Sequence, residues 1–120
     1  MGDWWQLTEA AIAPLAGRTT KPYFRPPYGA QNAAVRAAVG AAGWRWTVLW
    51  DVDTIDWRAT ADGGPTADGI VAKVSANAQG GSIVLMHLGG YETLAALPRV
   101  VDALRSRGLE PVTLARLVGG

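Results

Sequence analysis

The sequence predicts an α/β fold in which short parallel strands alternate with helices. Three observations carry that prediction. Helical and extended patterns take turns along the whole chain. The run Ser82 to His87 is continuously apolar, as strands buried on both faces of a parallel sheet are. The polar residues with chemical potential collect just after the predicted strands, where α/β folds keep their sites.

The elements follow in order. Thr8 is placed to cap a helix over Glu9 to Ala16, with Gly17 as its stop, although Pro14 weakens the second half. An extended stretch from Pro22 to Arg25 runs into the Pro26-Pro27 pair. Asn32 offers a second cap, and Ala33 to Ala42 reads as a helix closed by Gly43. Trp44 to Val52 is aromatic and β-branched, which predicts a strand. Asp53 to Pro65 is polar and contains glycine, so it reads as a long loop of the kind that more often carries function. Thr66 caps a helix over Ala67 to Gln79, ended by Gly80-Gly81. The strand Ser82 to His87 comes next, then a helix over Glu92 to Arg107 stopped by Gly108. Val112 and Thr113 read as a last short strand before a helical turn through Leu114 to Val118. Strands separated by helices favour right-handed crossovers and a parallel sheet.

Composition narrows the class. The chain has 120 residues, enough for one domain, and is 49% hydrophobic and 18% charged, which describes a folded globular protein. A net charge of +1 with scattered Lys and Arg points to neither nucleic acid nor an anionic membrane. There are no cysteines, so disulfides, cysteine-ligated zinc and thiol nucleophiles are excluded. No run approaches the roughly 18 apolar residues of a membrane span, and the first residues lack the order of a signal peptide. Localisation is left open. Six tryptophans either fill a core or line a sugar-binding groove.

Three segments follow the predicted strands. In Phe24-Arg25-Pro26-Pro27-Tyr28-Gly29 the prolines stiffen the backbone and the glycine admits a turn or a ligand. Backbone N–H groups held that way suit an oxyanion, and Arg25 suits a carboxylate; an ordinary proline turn is the plain alternative. Trp50 to Trp57 holds Asp51, Asp53 and Asp56, which could ligate a hard metal, orient a histidine or repel one another. Capping aspartates in a loop are the plain alternative there. His87, the single histidine, ends the apolar strand just before Gly89-Gly90. An imidazole titrates near neutrality and can protonate a leaving group if a carboxylate orients it; a structural histidine is the alternative.

FRPPYG, WDVDTIDW and IVLMH, followed by LPRVVDALRSRGLEPVTL, together resemble the polysaccharide deacetylases of carbohydrate esterase family four, in their order and spacing from about Trp5 to Val118. The resemblance implies a partial (β/α) barrel and a hydrolase acting on N-acetyl or O-acetyl groups of chitin-like, peptidoglycan or xylan chains. By the family's pattern, Arg25 would position the catalytic-base aspartate and Tyr28 would offer its backbone N–H to the oxyanion. Asp56 would orient His87, the general acid for the departing amine. Trp57 would pack against that site, Leu85 would line the acetyl-methyl pocket, and Pro27 and Tyr28 would lie along the substrate.

The family also uses a divalent metal, zinc or similar, held by segments that precede FRPPYG: an adjacent pair of aspartates and two histidines. Neither segment is present, so no metal ligand is assigned and the chain reads as a truncated domain. A half barrel has open sheet edges and an apolar face to cover, which predicts a homodimer. Loss of the metal removes the activated water, so activated esters should be easier substrates than acetamides. Two rivals follow from the same departure. One is a non-catalytic carbohydrate-binding or assembly module; the other is a small ester or phosphoester hydrolase with a new dimeric site.

Overall fold

The computed structural model describes residues 4–119, which fall within two compact units bounded as Met1–Leu49 and Trp50–Gly120. Each unit is built around one pair of parallel strands.

In the first unit, helix α1 spans Trp4–Ala16. It starts a full turn before the predicted cap. Thr8 is interior, and its hydroxyl donates back to the Trp4 carbonyl at 3.0 Å. The cause is tertiary: Trp4 and Trp5 pack against a core of Phe24, Val39 and Trp44, so burial extends the helix. The Glu9 carboxylate, on α1, accepts the Thr19 and Thr20 hydroxyls and the Thr20 N–H. Those bonds, Thr19 first, hold it below the usual carboxylate range. Strand β1 (Tyr23–Phe24) leads through Pro26 into a tight turn, Pro27–Gly29. Helix α2 (Ala33–Ala41) begins where expected, with Asn32 Oδ1 accepting the Val35 N–H at 2.9 Å. Gly43 takes φ +107°, as its place after the helix demands. Strand β2 (Trp46–Thr47) then pairs parallel to β1, Tyr23 opposite Trp46 and Phe24 opposite Thr47.

In the second unit, β3 (Val52–Asp53) pairs parallel to β4 (Val84–Leu85), Val52 opposite Val84 and Asp53 opposite Leu85. The run Trp44 to Val52 is therefore two strands and not one. The Val48 N–H goes to the Phe24 carbonyl and the Asp51 N–H to the Ile83 carbonyl, so the run changes partner midway. Helix α3 (Ala67–Asn77) is capped by Thr66, whose Oγ1 accepts the Gly69 N–H at 3.1 Å. Helix α4 spans Thr93–Ser106 and α5 spans Leu114–Val118.

Two expectations are corrected here. Of Ser82 to His87 only Val84 and Leu85 pair as strand, and only Leu85 is buried. Among the described residues β4 pairs along one edge only, with β3, so just the two residues that meet β3 are held as strand. Val112 and Thr113 form no strand; Thr113 Oγ1 instead accepts the Arg116 N–H at 3.2 Å and caps α5.

The core of this unit joins Ile70, Val74 and Ala78 with Val52, Ala96 and Val100. On both helices the buried positions recur every four residues, the period that puts them on one face. Arg107, just past α4, donates to the carbonyls of Ser75 and Ala78 and satisfies the end of α3.

Candidate active site

The second unit places one carboxylate against the histidine. After β3, Asp53 Oδ1 accepts the Ile55 N–H at 3.0 Å, folding the chain back on itself. Ile55 sits at φ +54°, a left-handed conformation that a β-branched residue adopts only at a cost of about 1–3 kcal/mol. The turn sends Asp56 inward, where it is 1% exposed. Asp56 Oδ1 lies 2.8 Å from His87 Nδ1, and Oδ2 accepts the His87 backbone N–H at 2.8 Å and the Thr93 hydroxyl. An ionised carboxylate only accepts, so Nδ1 carries the proton between them and Nε2 is the nitrogen available for exchange. The His87 side chain is 42% exposed, so that exchange has access to solvent. Burial pushes the Asp56 carboxyl up. The Thr93 hydroxyl, the His87 N–H and the imidazole more than offset this, and the carboxyl ends below its ordinary value.

The neighbouring groups have other tasks. Asp51 accepts the Ile83 N–H at 2.5 Å, which ties the start of β4 to β3. Asp53 makes the turn, so only Asp56 of the three carboxylates reaches His87. The Thr54 hydroxyl, buried, donates to the Leu85 carbonyl at 2.9 Å. Leu85 is buried beside it, while Trp57 is half-exposed with the Arg58 guanidinium 5.0 Å from its ring.

Arg25, Pro27 and Tyr28 belong to the first unit. Tyr28 has φ +57°, the other left-handed residue besides glycine among the described residues. The Gly29 and Ala30 N–H groups donate back to the Pro26 and Pro27 carbonyls at 3.0 Å, and the Tyr28 N–H stands outside that pair of turns. Its side chain is fully exposed. Arg25 reaches the Val48 carbonyl at 3.4 Å through Nε.

Comparison with known proteins bears on this pair of segments. No protein-family model matches the chain. A xylanase/xylan deacetylase of Cellvibrio japonicus is 36% identical over 97 residues, 80% of this chain and 14% of its own length. A chitooligosaccharide deacetylase of Azorhizobium caulinodans is 35% identical over 126 residues, 90% of this chain and 57% of its own length. The structure of a family 4 carbohydrate esterase from Streptomyces lividans, in complex with acetate, superposes with a TM-score of 0.76 at 38% identity. It covers 91% of this chain and 53% of the esterase. The chain is similar to polysaccharide deacetylases in both sequence and fold. It spans little more than half the length of even the better-covered of these relatives.

The metal of polysaccharide deacetylases finds no fit among these residues. No group of three His, Asp or Glu side chains among the described residues is placed to hold an ion. The one histidine already has Nδ1 committed to Asp56. No helix of the described residues is long and apolar enough to cross a membrane.

Three parts of this arrangement are not legible in the sequence. The pattern around Thr93 predicts only helix, yet its hydroxyl reaches Asp56. Tyr91 donates its N–H to the Asp56 carbonyl at 3.2 Å. Ile55 gives no sign in sequence of its left-handed backbone; the Asp two residues before it was the available clue.

Proposed function

We propose that this chain supplies the acid side of a site that hydrolyses acetyl groups on oligo- or polysaccharides. The observation that carries the proposal is the His87 imidazole held at 2.8 Å on a buried Asp56 carboxylate with its other side reaching solvent. In acetamide hydrolysis, water adds to the carbonyl carbon, the C–N bond breaks, and the amine leaves with a proton. His87 Nε2 is the donor of that proton, and Asp56 steadies the imidazolium before transfer. In the first unit, Arg25 and the Tyr28 N–H are assigned to the oxyanion and Pro27 and Tyr28 to substrate; in the second unit, Trp57 and Leu85 are assigned to substrate. The base and any metal come from residues outside this set. The outer edges of all four strands lack a strand neighbour among the described residues. A homodimer that closes the barrel is the arrangement we propose for them.

The test compares wild type with His87→Ala on an activated aryl acetate and on an N-acetylglucosamine oligomer, with and without chelator. The oligomer should be cleaved slowly by wild type and lose about tenfold or more of that rate in His87→Ala, because the amine cannot leave without its proton. The aryl acetate, whose leaving group needs little protonation, should be cleaved faster and depend less on His87. Equal oligomer rates in both proteins would remove the proposal. Sedimentation should show a dimer; a monomer at every concentration would remove that part.

A second reading, a sugar-binding module without chemistry, is favoured by the exposed rings of Tyr28 and Trp57. Oligosaccharide binding that survives His87→Ala, in a chain that hydrolyses nothing, would establish it.

A further inference from the structure

Four groups of the segment after β4 converge on Asp56. Its carboxylate takes the His87 N–H, the His87 Nδ1 proton and the Thr93 hydroxyl, and its carbonyl takes the Tyr91 N–H. Thr93 is the first residue of α4, so a 14-residue helix anchors its side chain. Gly90 passes close enough that a Cβ there would lie 2.1 Å from Thr93 Oγ1 and 2.9 Å from Asp56 Oδ2. Real side chains do not keep such distances. Only glycine at 90 lets the hydroxyl reach the carboxylate.

We propose that Thr93 is a positioning residue for the acid pair, its hydroxyl holding Asp56 so that Oδ1 stays on His87 Nδ1. A carboxylate turns easily about its last torsion, which has broad minima. With two donors on Oδ2, one from the backbone of β4's exit and one from α4, rotation breaks two bonds at once. With the backbone donor alone, Oδ1 is less firmly aimed and the Nδ1 proton is less well held. Thr93 therefore acts on the histidine only through Asp56. The idea rests on the reading of Asp56 and His87 as the working pair, but its consequence is a property of a proton and needs no turnover.

His87 is the single histidine of the chain, so its imidazole NMR signals are unambiguous. The experiment measures solvent exchange of the Nδ1 proton and of the Thr93 hydroxyl proton in the full chain, for wild type, Thr93→Val and Thr93→Ser. Thermal melting is followed in parallel. Wild type should protect both protons. Thr93→Val keeps the side chain's shape and should speed Nδ1 exchange about tenfold or more, the scale of one hydrogen bond to a charged group. Thr93→Ser should return it close to wild type. A folded Thr93→Val that melts lower yet keeps wild-type Nδ1 exchange would show a merely structural threonine and overturn the proposal. If Thr93→Val does not fold, the wild-type hydroxyl decides: exchange as fast as that of exposed Thr60 overturns the proposal, and protection supports it. A protected, Thr93-dependent proton in a chain that hydrolyses nothing would remove the catalytic reading and leave this one standing.

Discussion

At the scale of single residues, the site turns on the protonation of one buried carboxyl. Asp56 is held below its ordinary value, so its contribution to stability is complete above the unfolded Asp value of about 3.9. That contribution is lost as pH falls through the lower folded value. Urea unfolding of wild type should therefore lose stability as pH falls below about 4. Asp56→Asn should be less stable at neutral pH by about 1–3 kcal/mol, because its amide meets donors on every side. Its stability should also fall less steeply with acid, since Asp51 and Glu9 remain to titrate but Asp56 does not. A parallel acid limb in both proteins would contradict this. The partnership of Asp56 and His87 was legible in sequence through the family pattern. The choice among three nearby aspartates had no basis in their spacing alone, because hydrogen bonds to Ile83 and Ile55 occupy the other two.

At the scale of elements, the caps at Asn32 and Thr66 were readable, while the cap at Thr113 and the strand extents were not. Asn32 and Thr66 each sit just before a helix, and each accepts an N–H three residues on. Thr66→Ala should cost about 1 kcal/mol in denaturant unfolding. The loop after the site depends on a different feature. A Cβ on Gly64 would come within 1.9 Å of the Arg58 carbonyl oxygen, with the Gly64 N–H bonded to Ala59 at 2.8 Å. Gly64→Ala should therefore open the turn around Thr60–Asp62 and lower the melting temperature, with little change in helix content by circular dichroism. An unchanged melting temperature would show that the loop relaxes freely. The Trp44 to Val52 run looked like one strand because local pattern records β-propensity and omits partners. Tertiary pairing divided it. Thr113 became a cap for the same reason: without a neighbouring strand, its hydroxyl and backbone are better used by α5.

At the scale of the whole molecule, the chain matches the α/β fold of polysaccharide deacetylases over little more than half the length of the better-covered relatives. Its larger unit depends on a small core, so single truncations should be felt strongly. Ile70 is completely buried, and Ile70→Ala should cost about 2–5 kcal/mol by urea unfolding. Against a typical total of about 5–15 kcal/mol, that loss threatens folding outright. A cost under about 1 kcal/mol would mean the core collapses around the gap. From the sequence alone came the resemblance to polysaccharide deacetylases, the alternation of helix and strand, the caps at Asn32 and Thr66 and the pairing of Asp56 with His87. These follow from local chemistry and motif order, which a linear pattern preserves. Only the tertiary structure decided which aspartate is buried, that Thr93 and Gly90 close around it, and where the strands begin and end. Burial and hydrogen-bond partners depend on residues distant in sequence: Asp56 meets His87 and Thr93 across more than 30 positions. No local pattern encodes such a meeting.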